Sequence, residues 1–412
     1  MRLETTLGAV AGRSPGWSRV DRVMRIPPFL LVAALAVVSS LPAAAQSAPA
    51  TPACAEVTAA NAEDCLRLNH VQVIGTHNSY HLAPEPAILK AIGEHAESID
   101  YTHRPLPYQL ETLGVRQFEI DVYADPKGGY YARPRVTELG PGLEQVRMPG
   151  PEMASPGLKV LHMPQVDFQS TCSTFTRCLT ELRDWSKAHP RHVPIAVLIE
   201  VKGGEPPSER TRPAARPLPF DAAQLDGLDA EIRAVFDEAH ILTPDDVRGN
   251  AATLRDAIAS KGWPTLRESR GKILFAMDNA GAPREAYLAG HPSLKGRVLF
   301  VSVEANHPAA AFMKLNDAMG PAADRIATAV RNGFIVRTRS DEPGREAVTG
   351  DTTRRDSAFR SGAQYVSTDY PEPTPYESGK GYVVKLPGGA PAARCNPVSA
   401  PKGCQDAFLS EK

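Results

Sequence analysis

Eight short apolar runs recur along this chain, at 71–75, 116–122, 159–162, 195–201, 272–277, 298–303, 334–337 and 364–368. They alternate little between polar and apolar residues, which is how strands covered on both faces of a parallel sheet read. Helical patterns fill several of the gaps, at 173–187, 221–239, 322–331 and 353–361. In the first, Phe175, Leu179, Leu182 and Trp185 share a face, Ser173 stands at the N-cap position and Pro190 lies beyond the end. Strands joined by helical crossovers predict an α/β fold, a (β/α)8 TIM-type barrel, with seven strands or a distorted barrel as the variant. Residues 124–158, with many Pro and Gly, predict a long loop after the second strand, and 203–220 an exposed lobe. The barrel is placed at 70–371, between a leader at 46–69 and a Pro- and Gly-rich tail at 372–412 packed on its surface.

Composition supports one large core, with 42% of the 412 residues hydrophobic. A formal net charge of -1 gives no broad pull toward nucleic acid or anionic membrane, so any anion must be recognised locally. At the start, Arg19, Arg22 and Arg25 precede an apolar stretch from Phe29 to Val38, and Ala43, Ala44 and Ala45 follow. That is the pattern of a secretory signal peptide over 1–45, with Met24 as an alternative initiator. The apolar stretch falls short of the roughly 20 residues that span a bilayer. Export to the periplasm or the medium is expected.

The cysteines fit an oxidising compartment. They fall into three close pairs, Cys54 with Cys65, Cys172 with Cys178 and Cys395 with Cys404, and read as small disulfide loops, although six cysteines allow many connectivities. None has C-x-x-C spacing and no histidine sits at a zinc-like interval, which disfavours a metal site.

The chemistry lies at the strand ends, where barrels of this kind carry their catalytic groups. Glu119 and Asp121 are two apart on one strand and share a face. With Glu200 and Asn78 they make an all-oxygen set. Three carboxylates together raise one another's pKa unless a cation neutralises them. One Ca²⁺ suits such a set, with Mg²⁺ second; zinc would want His or Cys. The opposing reading, a solvated face or an ion pair with Arg104 or Arg116, leaves Glu200 and Asn78 unexplained at the ends of apolar runs. His77 and His162 form a second set, one able to take a proton and the other to give one across a phosphodiester. The remaining histidines, His81, His103 and His192 among them, read as loop or surface residues.

The ordered phrases GTHNSY, FEIDVY, a strand ending in LH, and VLIEVK resemble the phosphatidylinositol-specific phospholipase C superfamily, in particular its Ca²⁺-dependent bacterial branch. RGKILFAMDN at 270–279, FIVRTRSDEP at 334–343 and AQYVSTDYP at 363–371 extend the resemblance. The metal-independent branch has a basic residue where a ligand would be, so the Glu119/Asp121 pair argues against it. The resemblance implies His77 and His162 as catalytic and Asn78, Glu119, Asp121 and Glu200 as calcium ligands. It also implies attack by the inositol 2-hydroxyl on phosphorus, release of diacylglycerol and a cyclic inositol phosphate. His77 is expected to stabilise the phosphoryl oxygens, His162 to protonate the glycerol oxygen and Glu119 to assist as base.

One departure bears on the substrate. Relatives that bind phosphorylated headgroups carry lysines after the KIL-type strand, where this chain has Ala276, Met277 and Asp278. Plain phosphatidylinositol is therefore the expected lipid. Lys202, Arg337 and Arg339 are the remaining cations for the headgroup, Arg339 standing equally for a surface ion pair, and Tyr370 is a candidate for stacking on the ring. Transient membrane contact would fall to loops at the barrel rim; no nucleic acid or protein partner is expected. Two rivals remain: a glycerophosphodiester phosphodiesterase, disfavoured by HNSY in place of an HRG phrase, and a catalytically silent barrel that binds lipid or carbohydrate through calcium.

Overall fold

In the computed structural model, residues 54–203 and 216–412 are described. The segment expected to be a signal peptide, residues 46–53 and most of the expected 203–220 lobe lie outside the described residues. Ten strands are present: Val71–Thr76 (β1), Gln117–Tyr123 (β2), Lys159–Val160 (β3), Ile195–Lys202 (β4), Ile273–Met277 (β5), Leu299–Val301 (β6), Phe312–Lys314 (β7), Ile335–Arg339 (β8), Tyr365–Thr368 (β9) and Arg394–Cys395 (β10). Eight of them run parallel in the order β6-β5-β4-β2-β1-β9-β8-β7. Between β6 and β7 only the bridge Ser302–Phe312 closes the ring, which leaves a seam. The fold is a TIM-type barrel, as expected.

The strand roster needs one correction. The run at 159–162 is not a barrel strand: its two-residue β3 pairs antiparallel on β2, Val122 opposite Val160 and Tyr123 opposite Lys159. The 124–158 segment folds back on the strand it leaves, and a returning segment can pair only antiparallel. The missing barrel strand is β7, whose three residues are too short to stand out by pattern.

Burial explains the apolar runs. Phe118, Ile120 and Val122 of β2 are buried together with Glu119 and Asp121, so one face of the strand packs on the helices while the other carries polar groups into the barrel. Gly75 is required at the top of β1, since a Cβ there would collide with the side chain of the buried Gln117 on β2. The helices follow the expected segments with shifted ends. Phe175–Ala188 is capped by Thr174, not Ser173, whose side chain accepts from the Arg177 N–H. Ala222–Val235 is capped by Asp221, which accepts from Ala223 and Gln224, and it ends before Phe236. Pro321–Arg331 and Thr353–Arg360 complete the four.

The main core runs through the barrel wall and helices and includes Phe118, Phe275, Phe300 and Trp263. A satellite core lies under the long loop, where Tyr123, Tyr131, Met153, Leu161 and Phe168 pack together. Within the leader, residues 54–69 form the helix Ala62–Cys65 and bury Leu66 and Leu68. The tail pairs β10 antiparallel with β1 and sets Glu411 against Arg116. All three cysteine pairs are disulfides, Cys54–Cys65, Cys172–Cys178 and Cys395–Cys404. Among the described residues no helix is long and apolar enough to cross a membrane.

Candidate active site

The carboxyl ends of the barrel strands converge on one polar cluster. β2 aligns Asp121 directly with Glu200 on β4. Oxygens of Glu119, Asp121 and Glu200 lie within 4.8 Å of one another. Past the end of β1, Asn78 takes a positive φ of 45°, a conformation asparagine tolerates better than most residues. Ser79 stitches this turn to β2: its N–H donates to the Glu119 carbonyl oxygen and its hydroxyl accepts from the Glu119 N–H, both at 2.8 Å. Asn78 is buried and its amide nitrogen donates to the Tyr101 hydroxyl at 3.1 Å, so its carbonyl oxygen is not used in that bond.

Positive charge is interleaved with these acids. The Lys202 ammonium lies 3.0 Å from Asp121 Oδ2 and 2.8 Å from Glu200 Oε2, inside the cluster and not beside it. Arg337, buried, donates to Glu119 and, at 2.6 Å, to Asn316. Neither Arg104 nor Arg116 pairs with Glu119 or Asp121; they pair with Glu372 and Glu411. Arg339 is no surface ion pair: it is buried, donates to Asp369 at 2.8 Å and lies 3.9 Å from Asp341. Lys314, at the end of β7, meets Asp278 at 2.5 Å.

The electrostatics follow from burial. Burial pushes Glu119 up to about 8, with Arg337 pulling down and Asp278, Asp121 and Glu200 pushing further up. Glu200 is raised first by burial and then by Asp121. Of buried Asp121, Oδ1 has no hydrogen-bond partner and Oδ2 meets the Lys202 ammonium at 3.0 Å. Three carboxylates this close together, one with an unpartnered oxygen, are a poor end state for a protein interior and a good donor set for a hard cation. The residues fit calcium.

The two predicted histidines lie near this cluster, His77 beside Glu119 and His162 within electrostatic reach of Asp121, and each is backed by an aspartate. His77 Nδ1 lies 2.8 Å from Asp369 Oδ1, and its Nε2 points to Glu119 Oε1 at 3.7 Å. Burial, then the neighbouring Arg339, pull His77 down to about 3 in spite of Asp369. His162 Nδ1 lies 2.7 Å from Asp167 Oδ2. Burial pushes His162 down, but the bond to Asp167 and the charges of Asp167 and Asp121 outweigh it, and the ring is held above the ordinary value. Of the other histidines, His81, His103 and His192 are buried rather than exposed. Tyr370 is 3% exposed and meets Tyr382 edge to face, which leaves little open face for stacking on a headgroup.

Asp369, Asp167 and Lys314 have no place in the sequence reading. Asp369 had a usable signal, since STDY follows a strand as HN follows another. Asp167 had only its nearness to His162, and Lys314 none, because β7 went unseen.

The comparisons can now be set beside this geometry. The Ca²⁺-dependent phosphoinositide phospholipase C family matches residues 66–397. No curated protein matches the chain. Among solved structures, the chain is similar to the calcium-dependent phosphoinositol-specific phospholipase C of a Pseudomonas species, with 16% identity over 81% of this chain and 96% of that one, at a TM-score of 0.49. It is also similar to the Ca²⁺-dependent enzyme of Streptomyces antibioticus, with 17% identity over 74% and 95% of the two chains, at 0.46. The phosphatidylinositol-specific phospholipase C of Listeria monocytogenes is a further likeness, with 12% identity over 77% and 93%, at 0.41. By the match over residues 66–397, the chain belongs to the Ca²⁺-dependent phosphoinositide phospholipase C family.

Proposed function

We propose that this protein cleaves phosphatidylinositol at the bond between phosphate and glycerol, giving diacylglycerol and a cyclic inositol phosphate. The observation that carries the reading is the pair of imidazoles, each backed by an aspartate, in the neighbourhood of an oxygen-donor cluster. One calcium ion would be held by Asn78, Glu119, Asp121 and Glu200, and when bound it would supply charge stabilisation at a phosphoryl oxygen and acidify the attacking hydroxyl.

The two histidines take their roles from their surroundings. His77 is neutral and turns Nδ1 toward ionised Asp369, so its lone pair sits on Nε2, at the side of Glu119. That nitrogen can accept the proton of the inositol 2-hydroxyl, and Asp369 then stabilises the imidazolium. This assigns His77 the part of base, where the family resemblance implied stabilisation of the phosphoryl oxygens. His162, held above the ordinary histidine value by Asp167, keeps a proton to give to the departing glycerol oxygen. Two like groups pushed apart in pKa make an acid and a base from the same residue type. Arg339 and Lys202 are the cations assigned to the headgroup in this reading. Ionised Asp278, engaged by Lys314, puts negative charge where a ring phosphate would need positive, which favours an unphosphorylated ring. Export fits the three disulfides.

Incubating the protein with phosphatidylinositol vesicles and calcium should release diacylglycerol, and a chelator should stop it. His77→Ala and His162→Ala should each lower kcat by about 10² to 10⁴. Wild-type turnover in either variant removes that residue from the mechanism. Release of glycerol phosphate from glycerophosphodiesters, with phosphatidylinositol untouched, would favour the rival diesterase.

A further inference from the structure

The phrase GTHNSYH holds a third polar residue that the acid–base pair does not use. His81 is fully buried, and each of its ring nitrogens faces an acceptor: Nδ1 lies 2.9 Å from the Tyr101 carbonyl oxygen and Nε2 lies 2.7 Å from Asp167 Oδ2. A carbonyl oxygen can only accept, so Nδ1 carries a proton. Asp167 is ionised, since His81 and His162 outweigh the upward push of burial and hold it below the ordinary carboxylate range. The buried imidazole thus bridges the Tyr101 backbone and the Asp167 carboxylate. The same Asp167 oxygen also accepts from His162 Nδ1 at 2.7 Å.

The rest of His81 is held as firmly. Its ring stacks on Tyr101 at 4.3 Å and 25°. Its N–H donates to the Asn78 carbonyl oxygen at 2.8 Å, and its own carbonyl accepts from the His103 N–H at 2.9 Å. The 162–167 loop that carries the acid histidine and its aspartate thus docks on the β1 turn through one buried side chain.

We propose that His81 is a positioning residue for leaving-group protonation: its bond to Asp167 Oδ2 pins the carboxylate, so that His162 keeps Nδ1–H toward it and presents Nε2 to the substrate. Without that pin Asp167 has one imidazole partner and room to turn, and an imidazole in the wrong tautomer or rotamer cannot deliver its proton. The inference rests on the phosphodiester chemistry proposed above for His162.

The test begins with the wild-type chain and needs no substrate. Nitrogen NMR of ¹⁵N-histidine-labelled protein at neutral pH should show the Nδ1 of His162 protonated, in one tautomer. His81→Phe keeps a ring against Tyr101 but removes the bond to Asp167; kcat on phosphatidylinositol vesicles should fall about 10- to 100-fold with KM unchanged. The His162 signals in that variant should show mixed tautomers. His81→Gln restores a donor toward Asp167 and should recover part of the rate. A His81→Phe variant with wild-type kcat and an unchanged His162 spectrum overturns the proposal. Absence of phosphatidylinositol turnover in the wild type would instead sink the lipase reading, while the His162 spectra of wild type and variant would still decide whether His81 orients that ring.

Discussion

At the scale of single residues, the proposed chemistry turns on which acid stands behind which imidazole. Asp369 and Asp167 are buried, ionised and aimed at Nδ1 of His77 and His162. If His162 is the general acid, the alkaline limb of the pH–rate profile reports loss of its proton, and that limb should lie above the ordinary histidine value of about 6.5. Asp167→Asn removes the charge that raises His162, so the limb should move to lower pH while the acid limb stays in place. A profile in which the alkaline limb does not move would place the raised group elsewhere. Glu119, Asp121 and Glu200 were legible from the sequence because a period of two fixes a shared face and oxygen donors speak for themselves. The aspartates behind the histidines were not. Asp369 meets His77 across 292 positions of sequence, and only the β1–β9 pairing brings them together.

Elements explain where the sequence reading held and where it slipped. Long apolar runs such as IAVLIEVK become β4, flanked by parallel neighbours and buried on both faces, and such runs announce themselves. A strand of three residues beside the seam does not, and its place was taken by a run that pairs antiparallel outside the barrel. His162 lies near the carboxylates in spite of that error, because β3 pairs with the carboxyl end of β2. Gly75 offers a test at this scale. It lies in β1 against Gln117, where the barrel interior has no room for a methyl group. Gly75→Ala should cost about 1–3 kcal/mol of unfolding free energy by overpacking, measured by urea denaturation. A variant as stable as wild type would show that Gln117 simply turns aside.

On the scale of the whole molecule, the barrel presents one working end to solvent. The site residues, the β3 segment and the long loop after β2 all gather at the carboxyl ends of the strands, as the barrel architecture requires. Among the described residues the two exposed large hydrophobics are Tyr130 and Met148, and both lie on that loop, above its own satellite core. A rigid loop with apolar side chains turned outward is suited to touch a lipid surface. Replacing both by Ser should raise the vesicle concentration needed for half-maximal rate several-fold while leaving hydrolysis of a soluble inositol phosphodiester unchanged; equal loss on both substrates would make the effect structural. The most direct test of the account is a ³¹P NMR time course of phosphatidylinositol turnover by the wild-type protein, with calcium and then with chelator. Attack by the neighbouring hydroxyl with His77 as base and His162 as acid predicts a cyclic inositol phosphate signal that appears first and stops growing on chelation. Release of glycerol phosphate, or no phosphorus signal change at saturating calcium, would contradict it.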